Sequence, residues 1–206
     1  MKKEIVDEFH KAYHASGIEG QCYWLGQRMY KLPQDLFIMQ EIIFETRPNL
    51  IIEIGTWRGG SALFFATVLD ALNFGKVLTI DVAPLEMPSH KRIEYLQGSS
   101  LEEKTIKQVR DHISSNDRVM VILDSDHTME HVRKEMEAYH HFVTKGCYMI
   151  VEDTCLNGHP VDPEFGLGPM EAIQSFNEDH PLEFESDRSR EKYFLTYDRS
   201  GFLKKL

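Results

Sequence analysis

Two short groups of acidic residues each stand directly after a run of apolar residues. They are Asp124 with Asp126, and Glu152 with Asp153. Carboxylates that crowd together repel one another, so one of them stays protonated unless a cation neutralises the group. Oxygen ligands without cysteine suit Mg²⁺ or Ca²⁺, with Mn²⁺ as a further candidate. The pattern therefore predicts a divalent metal site. Two alternatives stay open: a paired general acid and base, as in a glycosidase, and a helix N-cap at Asp126.

Two histidines, His127 and His159, fall on loops near these carboxylates. An imidazole in such a place can bind a metal, accept a proton as a general base or simply face solvent. All three roles stay open for both residues. The chain contains no His-x-Asp or His-x-Glu pair, and this argues against the facial triad of a non-haem iron enzyme.

A glycine-rich turn forms a third candidate site. The apolar run Leu50–Ile54 leads into Gly55, Gly59 and Gly60, and a helical pattern begins immediately afterwards. Glycines let the backbone come close to a ligand, and the helix N-terminus presents unpaired N–H groups to it. The spacing is not the GxGxxG pattern of dinucleotide enzymes. The segment is predicted to hold a nucleotide-like ligand, with a tight turn that binds nothing as the alternative.

Asp81 ends the next apolar run, 28 residues after Glu53. This interval is about one strand–helix–strand unit. An acidic residue at the tip of the second strand can accept hydrogen bonds from both hydroxyls of a ribose. A lone aspartate of this kind is more often a turn residue or a helix cap, but its occurrence together with the glycine turn favours a ligand.

Apolar runs alternate with helical patterns five times along the chain. This alternation predicts a doubly wound, mostly parallel α/β sheet. In such sheets a ligand lies beyond the carboxyl ends of the strands, and the glycine turn, Asp81 and both acidic groups fall at such ends. The predicted strands are residues 50–54, 77–81, 93–96, 119–123 and 147–151, followed by two last strands at 182–185 and 193–197.

The N-terminal part carries two local expectations. Asp35 is a candidate N-cap for the helix that follows it. The apolar cluster Tyr23-Trp24-Leu25-Gly26 lies outside any evident strand and is expected to be core or part of a lid over a cofactor.

Length and composition bound the class of protein. For 206 residues one domain is expected. The formal net charge of −10 argues against a nucleic-acid partner, because binding to a phosphate backbone relies on clustered Lys and Arg. Three cysteines without metal-ligand spacing indicate reduced thiols and a cytoplasmic location. No apolar run approaches the roughly 18 residues that span a bilayer, and no signal peptide is evident.

These features together resemble the class I methyltransferases that use S-adenosylmethionine (SAM), and more closely the family of cephalosporin hydroxylases and rhamnosyl O-methyltransferases. The resemblance implies a seven-stranded sheet whose last strand is antiparallel. The resemblance spans the chain from about Tyr23 to the end. One methyltransferase domain is expected over residues 1–206, in which residues 1–47 form an N-terminal helical or lid segment. The motifs that carry it are Trp24-Leu25-Gly26, Pro48 to Thr56, Gly59-Gly60-Ser61-Ala62, Leu123 to His127, Glu152-Asp153-Thr154 and Gly168 to Ala172.

The resemblance also implies the roles of individual residues. SAM is expected over the glycine turn, with its ribose near Asp81 and its adenine near Gly98 and Ser99. Mg²⁺ is expected on Glu152, Asp153 and one aspartate of the preceding group, for which Asp126 is chosen although Asp124 aligns equally well. The residues expected to contact the cofactor are Glu53, Gly55, Thr56, Gly59, Ser61, Asp81, Gly98, Ser99 and Asp124.

The expected activity is Mg²⁺-dependent O-methylation of a hydroxyl on a small molecule or a saccharide. The catalytic candidates are Asp153, with His127 or His159 as the proton acceptor. Two other functions are weighed: a nicotinamide-dependent oxidoreductase, and a non-catalytic module that binds SAM. A homo-oligomer with contacts through Tyr23 and Trp24 is a further expectation.

Overall fold

The computed structural model describes residues 2–83, 85 and 87–206. Within them lie six α-helices and nine β-strands. The helices are α1 (Lys3–Ser16), α2 (Pro33–Thr46), α3 (Gly60–Leu72), α4 (Glu103–Asp111), α5 (Met129–Tyr139) and α6 (Pro169–Asp179). The strands are β1 (Cys22–Trp24), β2 (Gln27–Met29), β3 (Leu50–Ile54), β4 (Lys76–Asp81), β5 (Ile93–Gln97), β6 (Val119–Leu123), β7 (Tyr148–Val151), β8 (Phe184–Ser186) and β9 (Phe202–Lys205).

Seven of these strands form one sheet in the order β5-β4-β3-β6-β7-β9-β8. The five strands from β3 to β7 run parallel, whereas β9 is antiparallel to both of its neighbours. Every residue of β3, β6 and β7 is buried, which explains why these segments read as continuous apolar runs. One apolar layer packs against α5 and α6 and the other against α2 and α3. The predicted doubly wound sheet with an antiparallel last strand is confirmed.

The register of the sheet brings the ends of four strands together. Ile54 lies opposite both Ile80 and Leu123, and Leu123 lies opposite Val151. The next residues are Gly55, Asp81, Asp124 and Glu152, and therefore they share one edge. Two backbone hydrogen bonds extend this register, since Gly55 N–H donates to Ile80 O over 2.8 Å and Asp124 N–H donates to Ile54 O over 2.8 Å.

The prediction of a strand at residues 193–197 is wrong. The last strand is β9, which pairs with β7. The backbone of residues 193–197 makes its hydrogen bonds elsewhere, because Tyr197 O accepts from Cys155 N–H at 3.0 Å and Tyr197 N–H donates to the Asp35 carboxylate at 2.9 Å. The segment has the aromatic and aliphatic composition of a strand, but only residues 195–197 of it are buried, and it does not pair with a neighbouring strand.

Two predictions in the N-terminal part are also wrong. Residues 22–24 form strand β1, which pairs with β2 through a two-residue turn at Leu25 and Gly26, both with positive φ. Such turns match the twist of a hairpin. Helix α2 has Leu32 as its N-cap and Pro33 as its first residue, so Asp35 lies inside the helix and is buried. Within the described residues, no helix is long and apolar enough to cross a membrane.

Candidate functional site

A cavity of about 700 Å³ opens at the edge of the sheet where the parallel strands end. Ten of the predicted site residues line it: Gly55, Thr56, Ser61, Asp81, Gly98, Ser99, Asp124, Asp126, His127 and Asp153. Four others, Glu53, Gly59, Glu152 and His159, are not part of its wall. The end of the β1–β2 hairpin also contributes to the cavity wall, through Met29, Tyr30 and Lys31.

Gly55 is a position that only glycine can fill. Its φ is +102°, and a Cβ built there would lie 1.9 Å from the Asp124 carbonyl oxygen. A side chain would therefore both strain the backbone and push β3 away from β6. This close approach holds the glycine turn beside the acidic group. The turn is further held by Asp81, whose carboxylate accepts the N–H of Trp57 at 2.8 Å and that of Ala83 at 2.9 Å.

Glu53 lies beneath the cavity and is completely buried. Its carboxylate accepts a hydrogen bond of 2.6 Å from the Thr79 hydroxyl, which lies 2.7 Å from the hydroxyl of Thr56 in the cavity wall. Burial raises the pKa of Glu53 to about 7, although hydrogen bonds from Ser61 and Thr79 oppose the rise. Glu53 therefore supports the wall of the cavity from below and does not face its interior.

The raised pKa of Glu53 makes stability depend on pH in a defined direction. The folded protein holds this proton more tightly than the unfolded chain, so stability falls as pH rises from the ordinary pKa of 4.5 to about 7. The variant Glu53→Gln lacks this charge. We therefore expect its unfolding free energy, minus that of wild type, to rise by about 3 kcal/mol as pH increases from about 4 to about 8. Urea unfolding across this pH range measures the difference, with the exposed Glu178→Gln as control. A constant difference across the range would contradict the assignment.

Three side chains of the cavity wall converge on one point. Asp124, His127 and Asp153 each offer a ligand atom, and these atoms lie within 4.8 Å of one another. The imidazole Nε2 of His127 is 3.2 Å from an Asp153 carboxylate oxygen. The three side chains are 20–27 % exposed, so they are held in place by the protein and still reach the cavity. Two carboxylates and one imidazole are a donor set suited to a divalent cation.

Asp126 also lines the cavity, but its carboxylate bonds to Thr128 in the loop before α5. One oxygen accepts both the N–H of Thr128 at 2.8 Å and its hydroxyl at 2.6 Å. These bonds hold the pKa of Asp126 below its usual range. The N-cap of α5 is Thr128, so the N-cap alternative for Asp126 is wrong: Asp126 lies two residues before the cap and closes a turn with it. This arrangement does not bring Asp126 into the group formed by Asp124 and Asp153.

Lys31 lies under the acidic group and is the functional residue that the sequence patterns missed. Its ammonium, with a side chain only 2 % exposed, donates to the carboxylates of both Asp124 and Glu152. Burial alone would lower the pKa of Lys31, but the two carboxylates raise it well above its ordinary value. Lys31 therefore stays charged and neutralises part of the crowded acidic group. One oxygen of Glu152 remains without a partner among the described residues.

Two more buried carboxylates form a layer behind this group. Asp198 accepts the N–H of Asp153 at 3.3 Å, and Asp153 itself has a φ of +54°. Asp35 accepts the N–H of Tyr197, and burial raises its pKa to about 7. The side chain of Asp198, from the loop before β9, therefore helps to hold Asp153 in this strained backbone conformation. Such strain persists only where surrounding contacts enforce it.

The structure places His159 away from this constellation. Its Nε2 lies 2.7 Å from the carboxylate of Glu171 in the first turn of α6, which also accepts a bond of 3.1 Å from Asn157. Of the two candidate histidines, only His127 contacts a carboxylate of the cavity wall. The sequence contained no signal for this distinction, because both histidines follow strand ends.

Comparisons with known proteins identify the family of this chain. Residues 17–206 match the family model described as Rhamnosyl O-methyltransferase/CmcI. The rhamnosyl O-methyltransferase of Mycobacterium leprae (strain TN) is 38 % identical over 207 residues, which cover 97 % of this chain and 90 % of that protein.

Solved structures share the fold. A CmcI structure with Mg and SAM has a TM-score of 0.70 at 21 % identity and covers 91 % of this chain and 77 % of that one. The MycE methyltransferase of the mycinamycin pathway, in complex with Mg, SAH and mycinamycin VI, has a TM-score of 0.54 at 18 % identity, over 73 % of this chain and 42 % of that one. The resemblance drawn from the sequence motifs is confirmed, and the chain belongs to the rhamnosyl O-methyltransferase/CmcI family.

Proposed function

We propose that this chain is a SAM-dependent O-methyltransferase that works with a divalent cation. The observation that carries the proposal is the convergence of Asp124, His127 and Asp153 on the wall of a cavity whose other side is the glycine turn. Family membership supports the same activity. It gives no support to a nicotinamide-dependent oxidoreductase or to a module without activity.

The cavity suits a nucleoside cofactor. Gly55 lets the backbone approach a ligand, and the N-terminus of α3 begins at Gly60 on the same wall. The Asp81 carboxylate lies on the wall beside Gly98 and Ser99, and each of its oxygens has lone pairs left after accepting one backbone N–H. We propose that Asp81 accepts the ribose hydroxyls and that the Gly98–Ser99 backbone borders the base.

The acidic group suits a divalent cation. Asp124 and Asp153 offer the hard oxygen ligands that such a cation prefers, and His127 lies beside them as a proton acceptor. We propose Asp124, and not Asp126, as the first ligand, because an oxygen of Asp124 lies within 4.8 Å of the ligand atoms of His127 and Asp153, whereas Asp126 is not part of that group. Glu152 is held by Lys31, and we propose that it acts on the site through this ion pair.

Different residues of the site have different proposed roles in methyl transfer. When bound, SAM supplies an electrophilic methyl carbon and the divalent cation supplies a Lewis acid that lowers the pKa of a substrate hydroxyl. Asp124 and Asp153 fix the position of the acceptor oxygen relative to the glycine turn. His127, 3.2 Å from Asp153, accepts the hydroxyl proton, and the neighbouring carboxylate stabilises the imidazolium that results.

We propose a sugar hydroxyl as the acceptor, and a rhamnosyl group in particular. The support is the name of the relatives that match 97 % of this chain. The lid role of residues 1–47, a cytoplasmic location and a homo-oligomer remain predictions. The β1–β2 hairpin supports a lid, because its end supplies Met29, Tyr30 and Lys31 to the cavity wall.

The proposed function predicts a defined pattern of binding and activity. Calorimetric titration should detect binding of SAM and no binding of NAD⁺ or NADP⁺. With p-nitrophenyl α-L-rhamnoside as acceptor, methyl transfer should need added Mg²⁺ and stop with EDTA. Nicotinamide binding without SAM binding would refute the proposal. Full methyl transfer in EDTA after removal of bound metal would refute the role of the cation.

A further inference from the structure

A second group of metal-ligating side chains lies outside the cavity, where two helices end side by side. Glu137 is in the last turn of α5, His140 follows that helix directly, and His180 follows α6 directly. Their ligand atoms lie within 4.8 Å of one another, and none of the three residues lines the cavity described above.

The three side chains are close enough to one another to contact one ion. The Nε2 of His180 is 2.8 Å from one oxygen of Glu137, and the Nε2 of His140 is 3.9 Å from the other. The two imidazole rings lie 4.7 Å apart between centroids. Both histidine side chains are mostly buried, at 18 % and 23 % exposure, so their orientation is set by the surrounding protein.

Glu183 fixes the orientation of both histidines from the opposite side. Its carboxylate lies 2.6 Å from the Nδ1 of His140 and 3.1 Å from the Nδ1 of His180. Lys205 also donates to this carboxylate. An ionised carboxylate on Nδ1 is the arrangement that orients histidine ligands in metal sites, because it holds the N–H on Nδ1 and leaves Nε2 free to bind.

This arrangement leaves a conflict that a cation resolves. With both Nδ1 atoms donating to Glu183, the neutral rings turn the lone pairs of their Nε2 atoms toward the negative oxygens of Glu137. A single metal ion between Glu137 and the two Nε2 atoms satisfies all three groups at once.

The surroundings of the group contain charges of both signs. Arg133 donates to the same Glu137 oxygen that faces His180, and it also bonds to Asp179. The second oxygen of Glu137 has only His140 near it among the contacts of the described residues. The carboxyl-terminal ends of α5 and α6 carry partial negative charge, which favours a cation. Phe176 stacks on His180 at 4.3 Å between ring centroids and adds rigidity.

We propose that Glu137, His140 and His180 form a binding site for Zn²⁺ or a similar transition metal, which ties the end of α5 to the end of α6. Two imidazole nitrogens and one carboxylate oxygen are a ligand set that suits Zn²⁺ better than Mg²⁺. Three protein ligands leave a fourth position for water. The site is distinct from the proposed catalytic cation site and does not depend on it.

The test uses Co²⁺ as a coloured substitute for Zn²⁺, titrated into the full chain after removal of bound metal with a chelator. The expected result is the intense visible absorption of four-coordinate Co²⁺ at one ion per chain, displaced by Zn²⁺. Weak absorption typical of six-coordinate Co²⁺, or none, would overturn the proposal.

Variants locate the absorbing ion. We expect the absorption to disappear in His140→Gln and His180→Gln and to remain in the matched control His141→Gln. It should also remain in Asp153→Asn, which removes a ligand of the other site. Glu183→Gln, which removes only the orienting carboxylate, should weaken Co²⁺ binding about 10–100-fold. Circular dichroism checks that each variant is folded, and Glu137→Gln replaces any histidine variant that is not. An absorption that is lost in Asp153→Asn, or that survives in both histidine variants, would overturn the proposal.

Discussion

Replacing Asp153 with asparagine is expected to lower kcat/KM for methyl transfer by about a thousandfold or more, which corresponds to about 4 kcal/mol. Asp153 provides one of the two carboxylates that converge with His127, and it contacts the imidazole Nε2 at 3.2 Å. The variant would therefore lose both a ligand charge and the partner of the proposed base. Because the glycine turn and Asp81 are untouched, the Kd for SAM should change less than about threefold.

The measurement combines kinetics on the rhamnoside acceptor with calorimetric titration of SAM. Asp111→Asn, at the exposed end of α4, removes the same charge elsewhere and should leave both values near those of the wild type. If Asp153→Asn weakened SAM binding as strongly as it slowed turnover, the carboxylate would belong to the cofactor site and the proposed cation site would be refuted.

The same assay separates the two aspartates that follow β6. Asp124→Asn should approach the loss seen for Asp153→Asn, because Asp124 supplies the second carboxylate of the group. Asp126→Asn retains a side-chain oxygen that can accept the bonds from Thr128, so the loop before α5 should keep its conformation. A larger loss for Asp126→Asn than for Asp124→Asn would reverse the ligand assignment.

The second large effect concerns stability and the ion pairs of Lys31. Lys31→Met should lower the free energy of unfolding by about 3–5 kcal/mol, because it leaves the carboxylates of Asp124 and Glu152 buried without their cation. For a chain of this length the corresponding fall in Tm is about 10 °C. Urea and thermal unfolding of the metal-free protein measure the effect directly.

A double-mutant cycle tests the cause of that loss. Glu152→Gln in the Lys31→Met background removes one of the two uncompensated charges, so it should recover a large part of the lost stability. The exposed Lys11→Met serves as control, since Lys11 pairs with exposed Glu8 at the surface and such pairs contribute little. A Lys31→Met variant that loses less than about 1 kcal/mol, or a double variant less stable than it, would contradict the electrostatic role of Lys31.

Much of the sheet, and the edge of the sheet at which the site lies, could be predicted from the amino-acid sequence alone. The segments that became β3, β6 and β7 are apolar at nearly every position, and only strands buried on both faces need that composition. Once such strands run parallel, their carboxyl ends share an edge whatever the details of packing. For this reason Gly55, Asp81, Asp124 and Asp153 could be expected around one cavity.

The errors fall where local pattern and tertiary contact disagree. Residues 193–197 have the composition of a strand, but their backbone groups bond to Asp35 and Cys155. Asp35 precedes an apolar helical pattern, as an N-cap would. In the structure it lies inside the helix, and its carboxylate accepts a hydrogen bond from Tyr197, more than 150 residues away in the sequence. Neither contact could be predicted from the pattern of residues that are close together in the sequence.

What the chain by itself determined is the order of strands and helices from β3 to α6, the glycine bend and the gathering of acidic residues at one edge, because each follows from periodicity and residue type over short distances. The tertiary structure alone decided which acidic residues face one another, that Asp126 turns to Thr128, and that Lys31 enters between Asp124 and Glu152. The physical reason is that these choices depend on distances between side chains from separate elements. Such distances are set only when the β1–β2 hairpin and the loops around the sheet have packed together.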